Sequence, residues 1–193
     1  MTIHLAGPGG AGKSTVGVLL SHRLNVPFVD LDRCFCEYAG DISDYLRRCG
    51  YQAYARKNVD VYRSIAAAGG VIALSSGFMT YAEEVHPSYA EIRAAIAESV
   101  TTFVLLPSLD VETCVAEIVR RQVHRPLGLM ASREEAKIRE RFTIYMALPA
   151  LKVTTLQSPD AVVTEIIDIL QRRSPQPANL GKLGTASVRI PDR

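Results

Sequence analysis

Short apolar runs alternate with longer amphipathic runs along most of the chain, and this alternation is the best indication of its fold. Five runs have the length and composition of buried strands, and they lie at residues 2–6, 27–31, 71–75, 101–106 and 152–156. Segments with helical spacing lie at residues 13–24, 33–39, 42–68, 83–99, 110–122, 132–147 and 160–172. Buried strands that alternate with helices predict an α/β fold, with a five-stranded parallel sheet covered by helices on both faces. Ligands of such sheets bind beyond the carboxyl ends of the strands.

One folded domain is expected to span residues 1–173. A chain of 193 residues with 48% hydrophobic positions is large enough to bury a single α/β core. The last predicted helix has a clear start, because Ser158 and Asp160 offer capping oxygens and Pro159 favours the first helical turn. Residues 174–193 lose the apolar periodicity and contain Pro and Gly, so they predict a flexible C-terminal tail.

A glycine-rich segment follows the first predicted strand directly, and it carries the clearest chemical signal. Residues 7–14 read GPGGAGKS and fit the phosphate-binding pattern G-x-x-x-x-G-K-[ST]; we call them the phosphate loop. Such a loop turns backbone N–H groups toward phosphates, and the next helix aims its positive dipole end at them. Lys13 is expected to reach the β- and γ-phosphates, and the Ser14 hydroxyl to coordinate Mg²⁺. The predicted nucleotide-binding residues are Gly9, Gly10, Ala11, Gly12, Lys13, Ser14 and Thr15.

Two carboxylates stand at the end of the second predicted strand, in the sequence FVDLD at residues 28–32. Their i, i+2 spacing places Asp30 and Asp32 on one face of extended backbone, at the sheet edge that carries the phosphate loop. Phosphoryl transfer needs Mg²⁺ near the phosphates and a carboxylate beside the acceptor hydroxyl, so two acids can divide these tasks. The alternative is a solvated turn in which Asp32 caps the next helix.

A basic stretch at residues 120–129 runs into a Pro-Gly segment before the next predicted helix. It predicts a mobile lid at about residues 121–133, which would carry arginines over the phosphates and exclude water. The alternative is a solvated helix end whose arginines interact with the helix dipole. Further on, Arg139 and Arg141 point to different faces of one predicted helix, so we expect only one of them to face the cleft.

Composition narrows the possible partners. The net charge of +2 is too small to indicate a nucleic-acid-binding protein. No apolar run reaches the roughly 18 residues that span a bilayer, and the first strand begins without a signal sequence. We therefore expect a cytoplasmic monomer without a membrane or nucleic-acid partner. The spacing of the four cysteines does not match a zinc site.

Several of these stretches together resemble the shikimate kinase family. The resemblance covers about residues 2–172 and rests on the phosphate loop, on FVDLD at residues 28–32, and on three later motifs. The later motifs are GDIS at residues 40–43, RPL at residues 125–127, and Arg141 four residues before Tyr145. The resemblance implies a three-layer P-loop kinase fold with a mobile lid. It also implies ATP and Mg²⁺ as cofactors, and transfer of the γ-phosphate of ATP to a hydroxyl of a small cyclic acid.

The resemblance also implies roles for individual residues. Asp30 would assist the Mg²⁺ shell through water, and Asp32 would hold the acceptor hydroxyls and act as the base. Arg125 would be the lid arginine that contacts phosphate, which makes Lys13, Asp32 and Arg125 the expected catalytic residues. Arg121 would contact the adenine side of ATP. Arg141 would pair with the substrate carboxylate, a bidentate task that suits arginine better than lysine.

The predicted acceptor pocket, within about residues 32–65 and at the end of the third strand, departs from the family pattern. Ala55 stands where the family carries an arginine, and Arg56 follows one position later, about 100° around a helix. Asn58 replaces a glutamate, and the third strand ends in Ser75, Ser76 and Gly77 instead of three glycines. The predicted acceptor-binding residues are Asp32, Arg56, Ser76, Gly77 and Arg141.

Three functions remain open on these residues. The first is phosphorylation of shikimate to shikimate 3-phosphate. The second is phosphorylation of another alcohol, such as a sugar acid, an antibiotic hydroxyl or a nucleoside, which the altered pocket favours. The third is a nucleotide-binding module without turnover, against which the complete set of Lys13, Ser14, Asp30 and Asp32 argues.

Overall fold

The computed structural model describes residues 1–123 and 131–173, with the side chains of residues 122, 123 and 131–134 left aside. Arg125, most of the predicted lid and the predicted tail lie outside these ranges. The strands are β1 (Thr2–Ala6), β2 (Phe28–Asp30), β3 (Gly70–Ala73), β4 (Thr102–Leu106) and β5 (Leu151–Thr154). The helices are α1 (Lys13–Leu24), α2 (Leu31–Ala39), α3 (Ile42–Ile65), α4 (Tyr89–Glu98), α5 (Val111–Val123), α6 (Ala131–Ala147) and α7 (Pro159–Arg173).

The strands form one parallel sheet in the order β2-β3-β1-β4-β5. Alternate strand residues supply two separate cores, because successive side chains of a strand point to opposite faces. Ile3 and Leu5 of β1 pack with the apolar sides of α1 and α7, whereas Ile72 and Val104 pack with α2, α3, α4 and α5. The predicted five-stranded parallel sheet with helices on both faces is therefore confirmed.

Two predicted helices differ from those observed, each for a local backbone reason. Gly50 interrupts α3 with φ 81° and ψ 169°, a conformation that glycine adopts without strain. The helix predicted at residues 83–99 starts only at Tyr89, after a separate 3₁₀ turn at Glu83–Val85. Pro87 restricts the residue before it to extended backbone, and His86 accordingly has φ −152° and ψ 141°. Within the described ranges, no helix has both the length and the apolarity needed to cross a bilayer.

The buried histidine of β1 predicts a pH-dependent stability. His4 is 7% exposed, its Nε2 lies 2.9 Å from the Tyr62 hydroxyl, and burial lowers its pKa from 6.5 to about 4. Between these two pH values the unfolded chain binds a proton that the folded chain does not, so stability falls as the pH drops through this window. The full effect is about 3 kcal/mol, at about 1.4 kcal/mol per pKa unit. Denaturant titrations from pH 7 to pH 4 should show a steeper loss for the wild type than for His4→Gln; equal slopes would contradict this assignment.

Candidate active site

The phosphate loop lies at the carboxyl end of β1 and leads into α1. Gly12 caps α1 in the left-handed region, with φ 93° and no side-chain capping bond, and the first helical turn has no acidic residue. The first N–H groups of α1 are therefore not used by a side-chain cap and can donate hydrogen bonds to an anion. Gly7 has φ 138°, and a Cβ atom there would lie 2.3 Å from the Leu105 carbonyl oxygen. Only glycine fits at this position, where the loop passes over β4.

Lys13 folds back across the loop that precedes it. Its Nζ atom donates to the carbonyl oxygens of Gly7, at 2.8 Å, and Pro8, at 3.0 Å. These bonds place the ammonium group at the mouth of the loop. A cation in this place, next to the N-terminus of α1, creates a positive potential suited to phosphate groups.

Asp30 joins the phosphate loop to α2. The Ser14 hydroxyl donates to Asp30 Oδ2 at 2.6 Å, and Asp30 Oδ1 accepts from the backbone N–H groups of Asp32, at 3.0 Å, and Arg33, at 3.3 Å. Asp30 is thus the residue that caps α2, and not Asp32, as the alternative interpretation of the sequence required. The Asp32 carboxylate is left out of the cap and sits in the first turn of α2.

Ser14 and Asp30 present the hard oxygen ligands that Mg²⁺ prefers. Among the described residues, no group of three or more His, Cys, Asp or Glu side chains could hold a metal ion by itself. This arrangement fits Mg²⁺, which usually keeps several waters and binds through one or two protein groups together with substrate phosphates. The residues present therefore fit a Mg²⁺–nucleotide complex, in which Ser14 and Asp30 would be the protein ligands.

A cavity of about 290 Å³ opens beside the phosphate loop. Its lining residues come from the loop, α1, α5, the segment after β5 and the start of α7: Gly10, Gly12, Thr15, Val16, Arg121, Thr155, Gln157, Pro159 and Val162. The cavity has apolar walls with a few polar groups, which is typical of sites for flat aromatic rings. Its position next to the phosphate loop fits an adenine base.

Arg121 connects this cavity with the phosphate loop. The guanidinium donates to Glu117 Oε1 at 2.7 Å, to the Gly10 carbonyl oxygen at 3.2 Å and to the Thr155 carbonyl oxygen at 2.7 Å. Hydrogen bonds from Arg120 and then Arg121 lower the pKa of Glu117 to about 2, so the carboxylate that orients Arg121 stays charged at neutral pH. The structure thus places Arg121 on the side of the loop where the sequence predicted an adenine contact.

Three of the predicted acceptor residues meet at the end of β3. Arg141 of α6 donates from Nη1 to the Ser76 hydroxyl at 3.4 Å and from Nη2 to the Tyr51 hydroxyl at 3.3 Å. Tyr145, one helical turn later, donates to the Ser76 carbonyl oxygen at 2.9 Å, which holds this end of α6 against the strand. We call Tyr51, Ser76, Gly77 and Arg141 the arginine notch.

The neighbouring arginine on α6 has a different environment. Arg139 donates to both carboxylate oxygens of Glu112, at 2.6 and 2.7 Å, and to Glu135 at 2.9 Å. Arg141, by contrast, belongs to no ion pair between described residues. The two arginines therefore have different surroundings: Arg139 pairs with carboxylates, and Arg141 contacts the end of β3 without a carboxylate partner among the described residues.

Buried tyrosines fill the space between the arginine notch and α2. Burial and, to a smaller extent, the negative charge of nearby Asp32 raise the pKa of Tyr54 to about 12, so the phenol is neutral at physiological pH. Tyr81 is also buried, and its hydroxyl accepts from the fully buried Asn58 amide at 2.8 Å. The neutral phenol of Tyr54 thus lies near the Asp32 carboxylate, and the Asn58 amide and the Tyr81 phenol are hydrogen-bonded to each other beside it.

Sequence reasoning missed these tyrosines although a signal for them was present. Tyr51, Tyr54 and Asn58 follow at i, i+3 and i+7 on α3, the spacing of one helix face. The structure does not bring the predicted Arg56 to the same cluster. Its side chain is exposed, Ala55 before it is buried, and no hydrogen bond or ion pair of the described chain links Arg56 to the arginine notch.

Comparison with known proteins gives matches that span most of the chain. A family model described as shikimate kinase matches residues 9–171. The chain is 34% identical over 175 residues to a shikimate kinase from Nitratidesulfovibrio vulgaris, with 87% of this chain and 94% of that protein covered. It is 32% identical over 183 residues to a shikimate kinase from Mycobacterium bovis, with 90% and 96% covered.

Solved structures show the same architecture. A shikimate kinase from Aquifex aeolicus superposes with a TM-score of 0.66 at 26% identity, covering 89% of this chain and 96% of that chain. A shikimate kinase from Acinetobacter baumannii in complex with shikimate gives a TM-score of 0.70 at 22% identity, covering 91% and 95%. A gluconokinase from Sinorhizobium meliloti, at 17% identity and a TM-score of 0.54, shares the fold, with 89% and 91% covered.

Proposed function

Because the chain belongs to the shikimate kinase family, we propose that it transfers the γ-phosphate of ATP to a hydroxyl of shikimate and forms shikimate 3-phosphate. The observation that carries this proposal is the bond between Ser14 and Asp30. It ties the end of the second strand to the phosphate loop, and this supports a role for Asp32, two residues later, beside the transferred phosphate. Phosphoryl transfer requires that an acceptor group lie near the phosphate in this way.

The nucleotide side of the proposed site uses the phosphate loop and the cavity beside it. Backbone N–H groups of α1 and the ammonium of Lys13 would hold the phosphates, while Ser14 and Asp30 would hold Mg²⁺. The bound Mg²⁺–ATP supplies the phosphoryl group and neutralises part of its charge. Arg121, fixed by Glu117 and Thr155, would keep the Gly10 end of the loop in place beside the base.

On the acceptor side, Asp32 would accept the proton of the attacking hydroxyl. Its carboxylate is not engaged in capping α2, because Asp30 performs that task. The neutral, buried phenol of Tyr54 lies close enough to interact with the Asp32 charge. A carboxylate with spare acceptor capacity in such a place is suited to orienting a hydroxyl group and removing its proton.

Arg141 would bind the carboxylate of the acceptor. Its guanidinium carries a full charge, pairs with no carboxylate of the described chain and makes only two long hydrogen bonds to hydroxyl groups. Bonds of 3.3 and 3.4 Å lie beyond the usual 2.9–3.0 Å, so a carboxylate can replace them with shorter, charge-assisted bonds. The site thus selects an acceptor that carries an acid group as well as a hydroxyl.

Replacing Arg141 by alanine is expected to raise the KM for shikimate by roughly 10- to 100-fold, the loss of one charged hydrogen-bonded contact. The KM for ATP should change little, because Arg141 lies on the acceptor side of Asp32. Steady-state kinetics with each substrate varied in turn would measure both constants. Arg139→Ala is the matched control, since that arginine sits on the same helix but pairs with Glu112. Equal effects of the two substitutions would contradict the role given to Arg141.

A second acceptor class is favoured by one observation, the neutral character of the α3 face. Ala55 and Asn58 are both buried on the face that also carries Tyr54, whereas the exposed Arg56 lies beside that face and outside the cluster. An acceptor held by Arg141 alone would leave room for a different ring or chain on the α3 side. A sugar acid would retain the required carboxylate and hydroxyl groups.

A panel of acceptors tests the proposed function against this alternative. ADP formation would be followed with Mg²⁺ and ATP in the presence of shikimate, gluconate or deoxyadenosine. We expect shikimate to stimulate ADP formation most, gluconate weakly, and the nucleoside, which lacks a carboxylate, not at all. Stimulation by gluconate alone would favour the second class. ATP binding without stimulation by any acceptor would indicate a module without turnover.

We propose that the protein acts as a monomer on a small-molecule acceptor. The expected cytoplasmic location and the domain limit at residue 173 stay predictions. The role of Arg125 as a phosphate-contacting residue likewise stays a prediction, because it lies outside the described residues.

A further inference from the structure

Resting on the proposed function, we propose that Tyr51 is a substrate-binding residue that determines specificity at the acceptor site. Its hydroxyl, held by Arg141, would donate a hydrogen bond to the carboxylate of the acceptor. Tyr51 belongs to none of the sequence motifs from which the site was predicted, and its role is inferred from geometry alone. Four observations carry it: its hydrogen bond, its exposure, its backbone setting and the space beside Gly77.

The hydrogen bond between the two side chains leaves the phenol proton available. Arg141 Nη2 can only donate, so the Tyr51 oxygen is the acceptor of the 3.3 Å bond. No hydrogen bond among the described residues uses the Tyr51 hydroxyl as donor. A phenol that accepts from a guanidinium and has its own proton to offer presents a second donor directly beside a positive charge. The pair therefore matches a group with two acceptor oxygens and a negative charge.

Exposure shows that Tyr51 does not serve the core. It is 50% exposed, whereas Tyr54 and Tyr81, the tyrosines whose rings approach it, are 7% and 6% exposed. The ring centroids lie 6.1 Å from that of Tyr54 and 6.0 Å from that of Tyr81, within the range of favourable aromatic contacts. Two buried rings thus fix the direction of a tyrosine that is itself half open to solvent, and its hydroxyl group points at Arg141.

The backbone conformation of Gly50 sets the direction of the Tyr51 side chain. Gly50 breaks α3 with a positive φ of 81°, and helical geometry resumes at Tyr51. A residue with a side chain would be strained in that conformation. Tyr51 therefore occupies the first position after a rigid change of direction, where its side chain points across the pocket mouth to α6.

Gly77 supplies the space in which the two donors meet. A Cβ atom on Gly77 would lie 2.9 Å from Arg141 Nη2 and 2.9 Å from the Tyr51 hydroxyl. The backbone does not require glycine here, because φ is −108°, a value open to any residue. Because Gly77 has no side chain, a small space remains into which both donors point. An oxygen atom of a ligand would fit in this space.

The ligand class follows from these groups. A planar guanidinium edge and a phenol O–H beside it suit a carboxylate, whose two oxygens can accept from both at once. A neutral ester or amide in the same position would lose the charge that Arg141 complements. Tyr51 thereby helps the site to select an acceptor with a free carboxylate, while Asp32 recognises its hydroxyl group.

Tyr51→Phe tests this inference, because it removes one hydroxyl from a half-exposed ring and keeps the ring contacts. We expect the KM for shikimate to rise about five- to tenfold, as for one hydrogen bond to a charged group, with kcat and the KM for ATP nearly unchanged. Tyr38→Phe is the matched control, since Tyr38 is an exposed tyrosine on α2. If the wild type and Tyr51→Phe turn over shikimate with the same KM, the role of Tyr51 is overturned. The proposed function would still stand in that case.

The methyl ester of shikimate provides a readout that a structural role would not move. If the Tyr51 hydroxyl binds the carboxylate, Tyr51→Phe should weaken binding of the free acid several times more than binding of the ester. A general distortion of the site would weaken binding of both equally. Gly77→Ala should also raise the KM for the free acid, since its methyl group displaces both donors. Equal losses for acid and ester would overturn the inference. A wild type that shows no shikimate-dependent ADP formation would instead overturn the proposed function on which it rests.

Discussion

Asp32→Asn is expected to lower kcat for phosphoryl transfer by about 10²- to 10⁴-fold, the usual contribution of a positioned general base. The amide keeps the shape of the side chain but cannot accept the proton of the acceptor hydroxyl. Asp30 caps α2 through its own carboxylate, so the substitution at Asp32 leaves the helix start intact. Because Asp32 belongs to the acceptor side, the affinity for ADP and Mg²⁺ should change less than about twofold.

Rapid-quench measurements of phosphoryl transfer, combined with calorimetric titration of ADP, would check both parts of this result. Glu37→Gln is the matched control, because Glu37 is an exposed carboxylate later on the same helix. A large loss of ADP affinity with transfer retained would show that Asp32 serves the nucleotide instead of the acceptor. Unchanged transfer would remove Asp32 from the mechanism altogether.

Lys13→Met is the second substitution with a large expected effect. Its ammonium group lies over the carbonyl oxygens of Gly7 and Pro8, at the mouth of the phosphate loop. Loss of a charge that stabilises the transferred phosphoryl group should lower kcat/KM for ATP by about 10²- to 10³-fold. The fold should survive, because methionine keeps the aliphatic length of the side chain and α1 is anchored by its own buried face.

Initial rates over a range of ATP concentrations, with circular dichroism as the test of folding, would measure this effect. Lys57→Met on α3 removes a lysine that is no part of the phosphate loop, and it should leave kcat/KM for ATP unchanged. If Lys13→Met bound and used ATP as the wild type does, the phosphate loop would have no catalytic role. Loss of activity that accompanies loss of helical signal would indicate a structural role for Lys13.

The nucleotide side of the site could be predicted from the sequence almost completely. Its residues follow one another along the chain, from Gly9 to Thr15, so their spacing alone defines the site. Asp30 and Asp32 were also predictable, because the carboxyl ends of neighbouring parallel strands meet at one edge. The structure added a difference between the two acids: Asp30 caps α2 and accepts a hydrogen bond from Ser14, whereas the Asp32 carboxylate takes no part in this cap.

The acceptor side could be predicted only in part, because it is assembled from distant segments. Arg141 and Gly77 lie on α6 and after β3, and nothing in their own sequence neighbourhood shows that Tyr51 lies between them. The direction of Tyr51 depends on the φ of Gly50 and on contacts with Tyr54 and Tyr81, which periodicity does not reveal. The helix start at Tyr89 was missed for a simpler reason, the restriction that Pro87 places on His86.

The central claim is the transfer of a phosphoryl group to shikimate, and product analysis tests it most directly. Enzyme, Mg²⁺, shikimate and ATP labelled in the γ-phosphate would be incubated, and the products separated and identified by mass spectrometry and phosphorus NMR. We predict one labelled shikimate phosphate monoester at the 3-hydroxyl for each ADP formed, and no product with Asp32→Asn. Formation of ADP with labelled inorganic phosphate alone, or no ADP formation from shikimate, would contradict the proposed function.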